Sequence, residues 1–149
     1  MDALRGFQEI TCHALFGVKM DFTRKARFVA NPSKTQTPSY VCYSSMVSRE
    51  SVRLAFPVAA FHDLDALACD IGNAYLNASC KEQIWFKAGE ECDSHLKGKV
   101  LKLVRALYGL KSSGALWRQL FKECIVTRMG FTPSSLDQDM YYRRYQCEH

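Results

Sequence analysis

The segment that most constrains the fold is residues 64–71, whose side chains alternate as in a β-strand. One face of this predicted strand is apolar apart from Asp65. The opposite face carries small residues and ends in an acid, in the order Leu64, Ala66, Ala68 and Asp70. A bulky ligand could lie across this second face and meet a carboxylate. A half-exposed sheet with a surface aspartate explains the same pattern, and the residues alone favour that plainer interpretation.

A basic hairpin is predicted near the start of the chain. Residues 13–20 alternate between apolar and other side chains, and a turn at residues 21–24 could lead into a second strand at residues 25–30. Residues 31–43 are rich in Pro, Ser, Thr and Asn, which is typical of a loop.

Two helices are predicted further along the chain. Ser48 is a suitable N-cap for a helix that ends near Phe61. Pro57 is unfavourable inside that helix, where it costs about 3 kcal/mol or forces a kink. Residues 115–128 have the clearest helical periodicity, and Gly130 follows as the C-cap.

Three more strands complete the predicted fold. They cover residues 83–88 and 100–104, with another beginning within residues 139–144. The 149 residues are the length of one ordinary domain and contain no repeat or linker. We therefore predict one α+β domain in which helices pack on one face of a small, mostly antiparallel sheet.

Composition excludes several classes of protein. The seven cysteines occur singly without a C-x-x-C pair, so neither a disulfide framework nor a zinc site is expected. No apolar run approaches the ~18 residues of a membrane span, and no secretory signal is recognisable at the N-terminus. We therefore expect an intracellular protein of the cytoplasm or nucleus, with reduced thiols and no membrane partner.

Charge is unevenly distributed along the chain. Residues 62–95 contain seven acids and two bases, whereas residues 96–128 contain eight bases and one acid. An acidic centre beside a basic stretch suits a polyanion bound near a metal-holding carboxylate. Ordinary solvated faces of helices and strands produce such patches as well, and charge alone favours that explanation.

The familiar catalytic motifs are missing from this sequence. It has no phosphate-binding G-x-x-x-x-G-K-[ST] loop, no dinucleotide-binding G-x-G-x-x-G and no G-x-S-x-G elbow. What remains is the run Asp-Ile-Gly-Asn-Ala-Tyr-Leu at residues 70–76. The carboxylate of Asp70 could bind Mg²⁺, which prefers oxygen ligands, and Gly72 would let the backbone approach a ligand closely.

Four blocks in order resemble those of copia-type retrotransposon reverse transcriptases. Residues 70–76 resemble the motif Asp-x-x-x-Ala-(Tyr/Phe)-Leu, and residues 24–30 resemble the fingers signature Lys-Ala-Arg-Leu-Val-Ala. Residues 48–53 match the Ser-Val-Arg start of the palm helix. Residues 107–114, followed by Trp117, resemble the Leu-Tyr-Gly-Leu-Lys-Gln-Ala-Pro block. The resemblance implies a fingers hairpin and loop at about residues 13–47 and an incomplete palm at about 48–149.

The resemblance also implies a reaction. It would be RNA-directed DNA synthesis, in which a primer 3′-hydroxyl attacks a deoxynucleoside triphosphate on an RNA template. Asp70 would be a ligand of both catalytic Mg²⁺ ions, helped by the carbonyl of Ile71. Tyr75 would exclude a ribose 2′-hydroxyl. The rest of that motif would line the nucleotide: Gly72, Asn73 and Ala74.

Two other blocks would supply further nucleotide contacts. The resemblance assigns Lys25 and Arg27 to the triphosphate. It places Tyr108, Gly109 and Lys111 on the nucleotide and template side. Core packing is the alternative explanation for Tyr108, and it is the favoured one for Trp117.

This sequence also departs from the family pattern. It contains no Tyr-x-Asp-Asp motif, which supplies the family's other metal-binding carboxylates, and Ser112 and Gly114 stand where the family usually has Gln and Pro. We therefore expect part of a reverse transcriptase domain, inactive by itself and with weak or no Mg²⁺ binding. The alternatives are a non-catalytic nucleic-acid-binding remnant and an unrelated small α+β domain.

Overall fold

The computed structural model describes residues 5–31, 33, 38 and 43–144, and its backbone forms two compact units. The first unit consists of Met1–Tyr43 and Asn73–Arg118. The second consists of Ser44–Gly72 and Gln119–His149. Both helices and small sheets are present, so the predicted α+β class is confirmed.

The predicted hairpin lies in the first unit. Strands β1 (Gln8–Ile10), β2 (Cys12–Val18) and β3 (Arg24–Ala30) come first in the chain, and β2 and β3 pair antiparallel. The carboxylate of Asp21 accepts a hydrogen bond from the backbone N–H of Thr23 at 3.0 Å. This short-range bond stabilises the turn between the two strands.

A three-stranded sheet forms the other part of the first unit. Strands β4 (Ile84–Lys87) and β5 (Val100–Lys102) pair antiparallel, close to the positions predicted for them. Strand β1 pairs in parallel with β4, with Gln8 opposite Ile84 and Ile10 opposite Phe86. This strand was not predicted, because three residues are too few to display an alternating pattern.

The apolar core of the first unit lies against these strands. Phe28 of the hairpin packs on Phe86 of the sheet, with ring centroids 5.4 Å apart. A second, smaller cluster buries Leu116 of helix α3 (Ser113–Glu123). The buried members of the larger cluster are Ile10, Ala30, Ile84, Phe86, Leu107 and Leu110.

The second unit begins with the predicted helix, α1 (Arg49–Phe61). The hydroxyl of Ser48 accepts a hydrogen bond from the backbone N–H of Ser51 at 3.0 Å, so the predicted N-cap is confirmed. Pro57 lies inside the helix, which continues past it. None of the residues of α1 is buried.

Helix α3 begins in the first unit and ends in the second, where it continues as a π-helical segment at Cys124–Arg128. Gly130 follows with φ +71°, as predicted for a residue that ends a helix. Strands β6 (Thr132–Pro133) and β7 (Tyr141–Tyr142) then pair antiparallel. No helix within the described residues is both long and apolar enough to cross a membrane.

The strand predicted at residues 64–71 is wrong. This segment has no regular secondary structure and every residue in it is exposed, including Leu67 at 94%. A strand is defined by hydrogen bonds to a neighbour, and no strand within residues 43–144 pairs with this segment. The alternating pattern therefore identified residues suited to a strand, but no strand among the described residues pairs with them.

Candidate functional site

An arginine and two tyrosines converge in the first unit. The rings of Tyr75 and Tyr108 are 4.9 Å apart between centroids and are inclined at 51°. The guanidinium carbon of Arg27 lies 5.7 Å from the centroid of the Tyr108 ring. Both distances are those of favourable aromatic and cation–π contacts. Three residues far apart in sequence, each a predicted site residue, therefore form one cluster.

Strand β3 carries the cationic side of this cluster. Lys25 and Arg27 are both exposed, and their i, i+2 spacing places them on the same face of the hairpin. At the end of the strand the backbone N–H of Ala30 donates to the carbonyl of Tyr108 at 2.8 Å. Val29 and Tyr108 also form an isolated parallel bridge. The loop that contains Tyr108 is thus attached directly to the hairpin.

Gly109 is required for this attachment. Its φ is +90°, a backbone conformation that residues with a side chain rarely adopt. A Cβ atom at this position would lie 2.0 Å from the carbonyl oxygen of Ala30. The glycine therefore permits the loop backbone to lie directly against the end of β3. The close approach at Gly109 is to the hairpin.

A short helix that was not predicted, α2 (Ala74–Asn77), carries Tyr75. Asn73 precedes it with φ +52°, which asparagine tolerates better than most residues. The guanidinium of Arg105 donates to the carbonyl of Asn77 at 3.0 Å, and the backbone N–H of Ala106 donates to the carbonyl of Ala78 at 2.9 Å. These bonds fix the helix beside the segment that leads to Tyr108.

Two buried serines support the loop that carries Tyr108. The hydroxyl of Ser113 donates to the carbonyl of Leu107 at 2.6 Å. The hydroxyl of Ser112, which is 0% exposed, donates to the side-chain carboxylate of Glu82. Sequence reasoning treated Ser112 only as a departure from a family pattern and did not single out Glu82. Their separation by 30 positions gave no signal that they pair.

Asp70, Ile71 and Gly72 belong to the second unit, and all three are exposed. A Cβ atom at Gly72 would meet nothing within 4 Å, so no described protein atom requires a glycine there. Lys111 is an exposed residue of the first unit. The sequence thus placed Asp70 and Tyr75 in one motif, whereas the two residues belong to different units.

A Mg²⁺ site requires several oxygen ligands close together. Within residues 5–31, 33, 38 and 43–144, no three His, Cys, Asp or Glu side chains are grouped so that they could hold a metal ion. A site with two metal ions needs carboxylates from more than one segment of the chain. Asp70 and the carbonyl of Ile71 alone do not provide that set, so the described residues do not fit a two-metal centre.

Two thiols of the first unit, Cys12 and Cys80, have raised pKa values and are protonated at neutral pH. Burial, with smaller contributions from the nearby Cys92 and Glu91, raises the pKa of Cys12 to about 11. Burial also raises the pKa of Cys80. A thiol with a raised pKa is a poor nucleophile and a poor metal ligand. Of the seven cysteines, the five that the structure describes are free thiols: Cys12, Cys69, Cys80, Cys92 and Cys124.

The sequence matches a known protein family over almost its whole length. The family described as "Reverse transcriptase (RNA-dependent DNA polymerase)" matches residues 6–149. The chain belongs to this reverse transcriptase family. The alternative interpretation of the chain as an unrelated small α+β domain is therefore wrong. No solved structure gives a significant match to the reverse transcriptase chain.

Two yeast retrotransposon proteins are similar to this reverse transcriptase chain. One is the transposon Ty1-BL Gag-Pol polyprotein of Saccharomyces cerevisiae, which is 30% identical over 118 residues. The other is the truncated transposon Ty1-A Gag-Pol polyprotein of the same yeast, also 30% identical over 118 residues. The resemblance to copia-type reverse transcriptases is thereby confirmed. Each match covers 78% of this chain but only 7% and 10% of the respective relatives.

Proposed function

We propose that this chain supplies a nucleotide-binding surface of an RNA-directed DNA polymerase. The observation that carries the proposal is the convergence of Arg27, Tyr75 and Tyr108 in one cluster. A guanidinium binds phosphate oxygens through paired hydrogen bonds. Aromatic rings provide flat surfaces for a sugar or a base. The cluster therefore combines the two chemistries that a deoxynucleoside triphosphate needs.

Each predicted site residue has a specific part in this proposal. Lys25 and Arg27 bind the triphosphate from the same face of β3. Tyr75 contacts the sugar and disfavours a 2′-hydroxyl, while Tyr108 and Gly109 form the floor on which the base rests. The remaining nucleotide contacts are assigned to Gly72, Asn73, Ala74 and Lys111.

The proposal stops at binding and includes no chemical step. Asp70 and the carbonyl of Ile71 would serve as metal ligands only together with further carboxylates, because the donors among the described residues do not form a two-metal site. In domain terms, we assign residues 13–47 to the fingers and residues 48–149 to part of the palm. The 149-residue chain by itself is accordingly expected to bind nucleotide without extending a primer.

Replacement of Arg27 by alanine tests the proposal. A hydrogen bond to a charged group contributes about 1.5–3 kcal/mol, so R27A should weaken triphosphate binding by about tenfold or more. Arg24 offers a matched control, because it is an exposed arginine of the same strand on the opposite face of the hairpin. R24A should change the Kd by less than about twofold. Binding is measured by NMR titration with a deoxynucleoside triphosphate in EDTA, so that no metal is required.

The same titration separates this proposal from its rival. If R24A and R27A weaken binding equally, the cluster has no special role and the proposal fails. If a single-stranded oligonucleotide then binds more tightly than the triphosphate, a non-catalytic nucleic-acid-binding remnant becomes the better explanation. Its basis would be the basic stretch at residues 96–128, where eight bases accompany one acid.

A further inference from the structure

The loop from Leu107 to Ser112 has no helix or strand of its own, so its shape depends on what holds it. Two of its leucines, Leu107 and Leu110, are buried in the core of the first unit. Its backbone is attached to β3 through the bond from the Ala30 N–H to the Tyr108 carbonyl, 2.8 Å long. Apolar burial is not directional. Polar contacts can therefore add directional constraints to the placement of Tyr108 and Gly109.

Glu82 provides such a contact from the segment just before strand β4. It lies two residues before β4, and its neighbour Gln83 accepts a bond from the Gln8 N–H at 2.8 Å. The carbonyl of Ile84 accepts from the Leu103 N–H at 3.0 Å. The backbone on the C-terminal side of Glu82 is thus fixed by the strands on either side of β4. Its carboxylate accepts a hydrogen bond from the fully buried hydroxyl of Ser112.

Ser112 at the end of the loop and Ser113 at the start of α3 are both buried, but they differ in their partners. Ser113 is satisfied by a backbone carbonyl only six residues away, which is common for a buried hydroxyl. Ser112 instead uses a charged side chain 30 residues away. Hydrogen bonds to charged groups are about twice as strong as neutral ones. The bond to Glu82 connects the far end of the loop to the sheet.

We propose that Glu82 is a positioning residue for the nucleotide surface. Through Ser112 its carboxylate holds the loop in the one conformation that places Gly109 against Ala30 and the Tyr108 ring beside Arg27. This inference rests on the proposed function, because Tyr108 and Gly109 matter to a nucleotide only if they bind it. Ser112, which stands where the family usually has glutamine, then makes the hydrogen bond that holds the loop in this chain.

Amide hydrogen exchange tests the positioning directly. The Ala30 N–H donates to the loop itself, so its exchange reports whether the loop stays attached. In Glu82→Ala, exchange at Ala30 should accelerate about tenfold or more, while exchange at the Leu103 N–H, which is bonded within the sheet, should change less than threefold. Glu82→Gln retains an acceptor oxygen and should restore most of the protection.

Variants of Ser112 keep the test valid if Glu82→Ala does not fold. Ser112→Ala removes the same bond without leaving a buried donor, and it too should accelerate exchange at Ala30. The double variant with both Glu82→Ala and Ser112→Ala should then show the same exchange rate at Ala30 as Ser112→Ala alone, because the two changes remove the same interaction. Unchanged exchange at Ala30 in Glu82→Ala and in Ser112→Ala would overturn the proposal. Equal acceleration at Ala30 and Leu103 would overturn it too, since that result indicates general loosening of the sheet.

A nucleotide titration of the same variants separates this inference from the proposed function. If both are right, Glu82→Ala weakens deoxynucleoside triphosphate binding about fivefold or more and Glu82→Gln restores it. A second outcome is that Glu82→Ala accelerates amide exchange at Ala30, while neither Glu82→Ala nor R27A changes the Kd. That result supports positioning of the loop by Glu82 and contradicts the nucleotide role of the cluster. If R27A weakens binding and Glu82→Ala changes neither exchange nor affinity, the proposed function survives and Glu82 has no positioning role.

Discussion

The two units of this reverse transcriptase chain are stabilised in different ways. Every buried residue in the described part of the chain belongs to the first unit, which has an apolar core under its sheet and hairpin. In the second unit no described residue is buried, and Phe61 of α1 is 87% exposed. The residues proposed to bind nucleotide mostly lie on the unit with a core. Asp70 belongs to the second unit, in which no described residue is buried.

Polar contacts take the place of a core in the second unit. The carboxylate of Asp137 accepts hydrogen bonds from the Ser48 N–H at 2.9 Å and from the Ser51 hydroxyl at 2.6 Å. It also accepts from the Asp139 N–H at 3.0 Å. A segment near residue 137 is thereby attached to the start of α1. Taken together, these few bonds contribute less than a core of several buried apolar side chains.

The largest difference between the units should appear when a phenylalanine is removed from each. Phe86 is 8% exposed and packs against Phe28, so Phe86→Ala should lower the free energy of unfolding by about 3–5 kcal/mol. Phe61→Ala makes the same chemical change at an exposed position and should cost less than about 1 kcal/mol. Urea denaturation followed by circular dichroism measures both. Equal losses would contradict the contrast between the units.

A smaller effect is expected from a change at Gly109. An alanine there must adopt φ near +90° and place its Cβ against the carbonyl of Ala30. Gly109→Ala should therefore lower the free energy of unfolding of the first unit by about 2–3 kcal/mol. Gly17→Ala is the control, because a Cβ on that strand glycine meets nothing within 4 Å. It should leave stability unchanged or raise it by up to about 1 kcal/mol.

Much of the fold could be predicted because its signals are local. The hairpin, α1 and β4 each follow from periodicity or capping within a few residues, as the bond between Ser48 and Ser51 illustrates. The failures depended on distant partners. Strand β1 is short and becomes a strand only through pairing with β4, 76 positions further along the chain. Residues 64–71 alternate well but have no partner strand among the described residues.

The candidate site was predictable to a similar extent. Arg27, Tyr75, Tyr108 and Gly109 were all proposed from family motifs, and they lie together in the first unit. The motifs specify residue types and their order, but they carry no information about what holds each segment in place. The contact between Glu82 and Ser112 therefore could not be foreseen, since it depends on how the loop packs against the sheet.

The smallest expected effect concerns the polar contacts of the second unit, and it depends on pH. Hydrogen bonds from Ser51 and Ser48 lower the pKa of Asp137 to about 2, compared with about 3.9 for an aspartate in an unfolded chain. A carboxylate whose pKa is lowered on folding stabilises the fold above its unfolded pKa, and it loses that contribution as the pH falls through its folded pKa. Asp137→Asn should therefore lower the Tm at pH 6. The difference from the native protein should shrink as the pH falls from about 4 to 2. A Tm difference that is the same at pH 6 and pH 2 would show that ionised Asp137 does not stabilise the start of α1, and the second unit would need another source of stability.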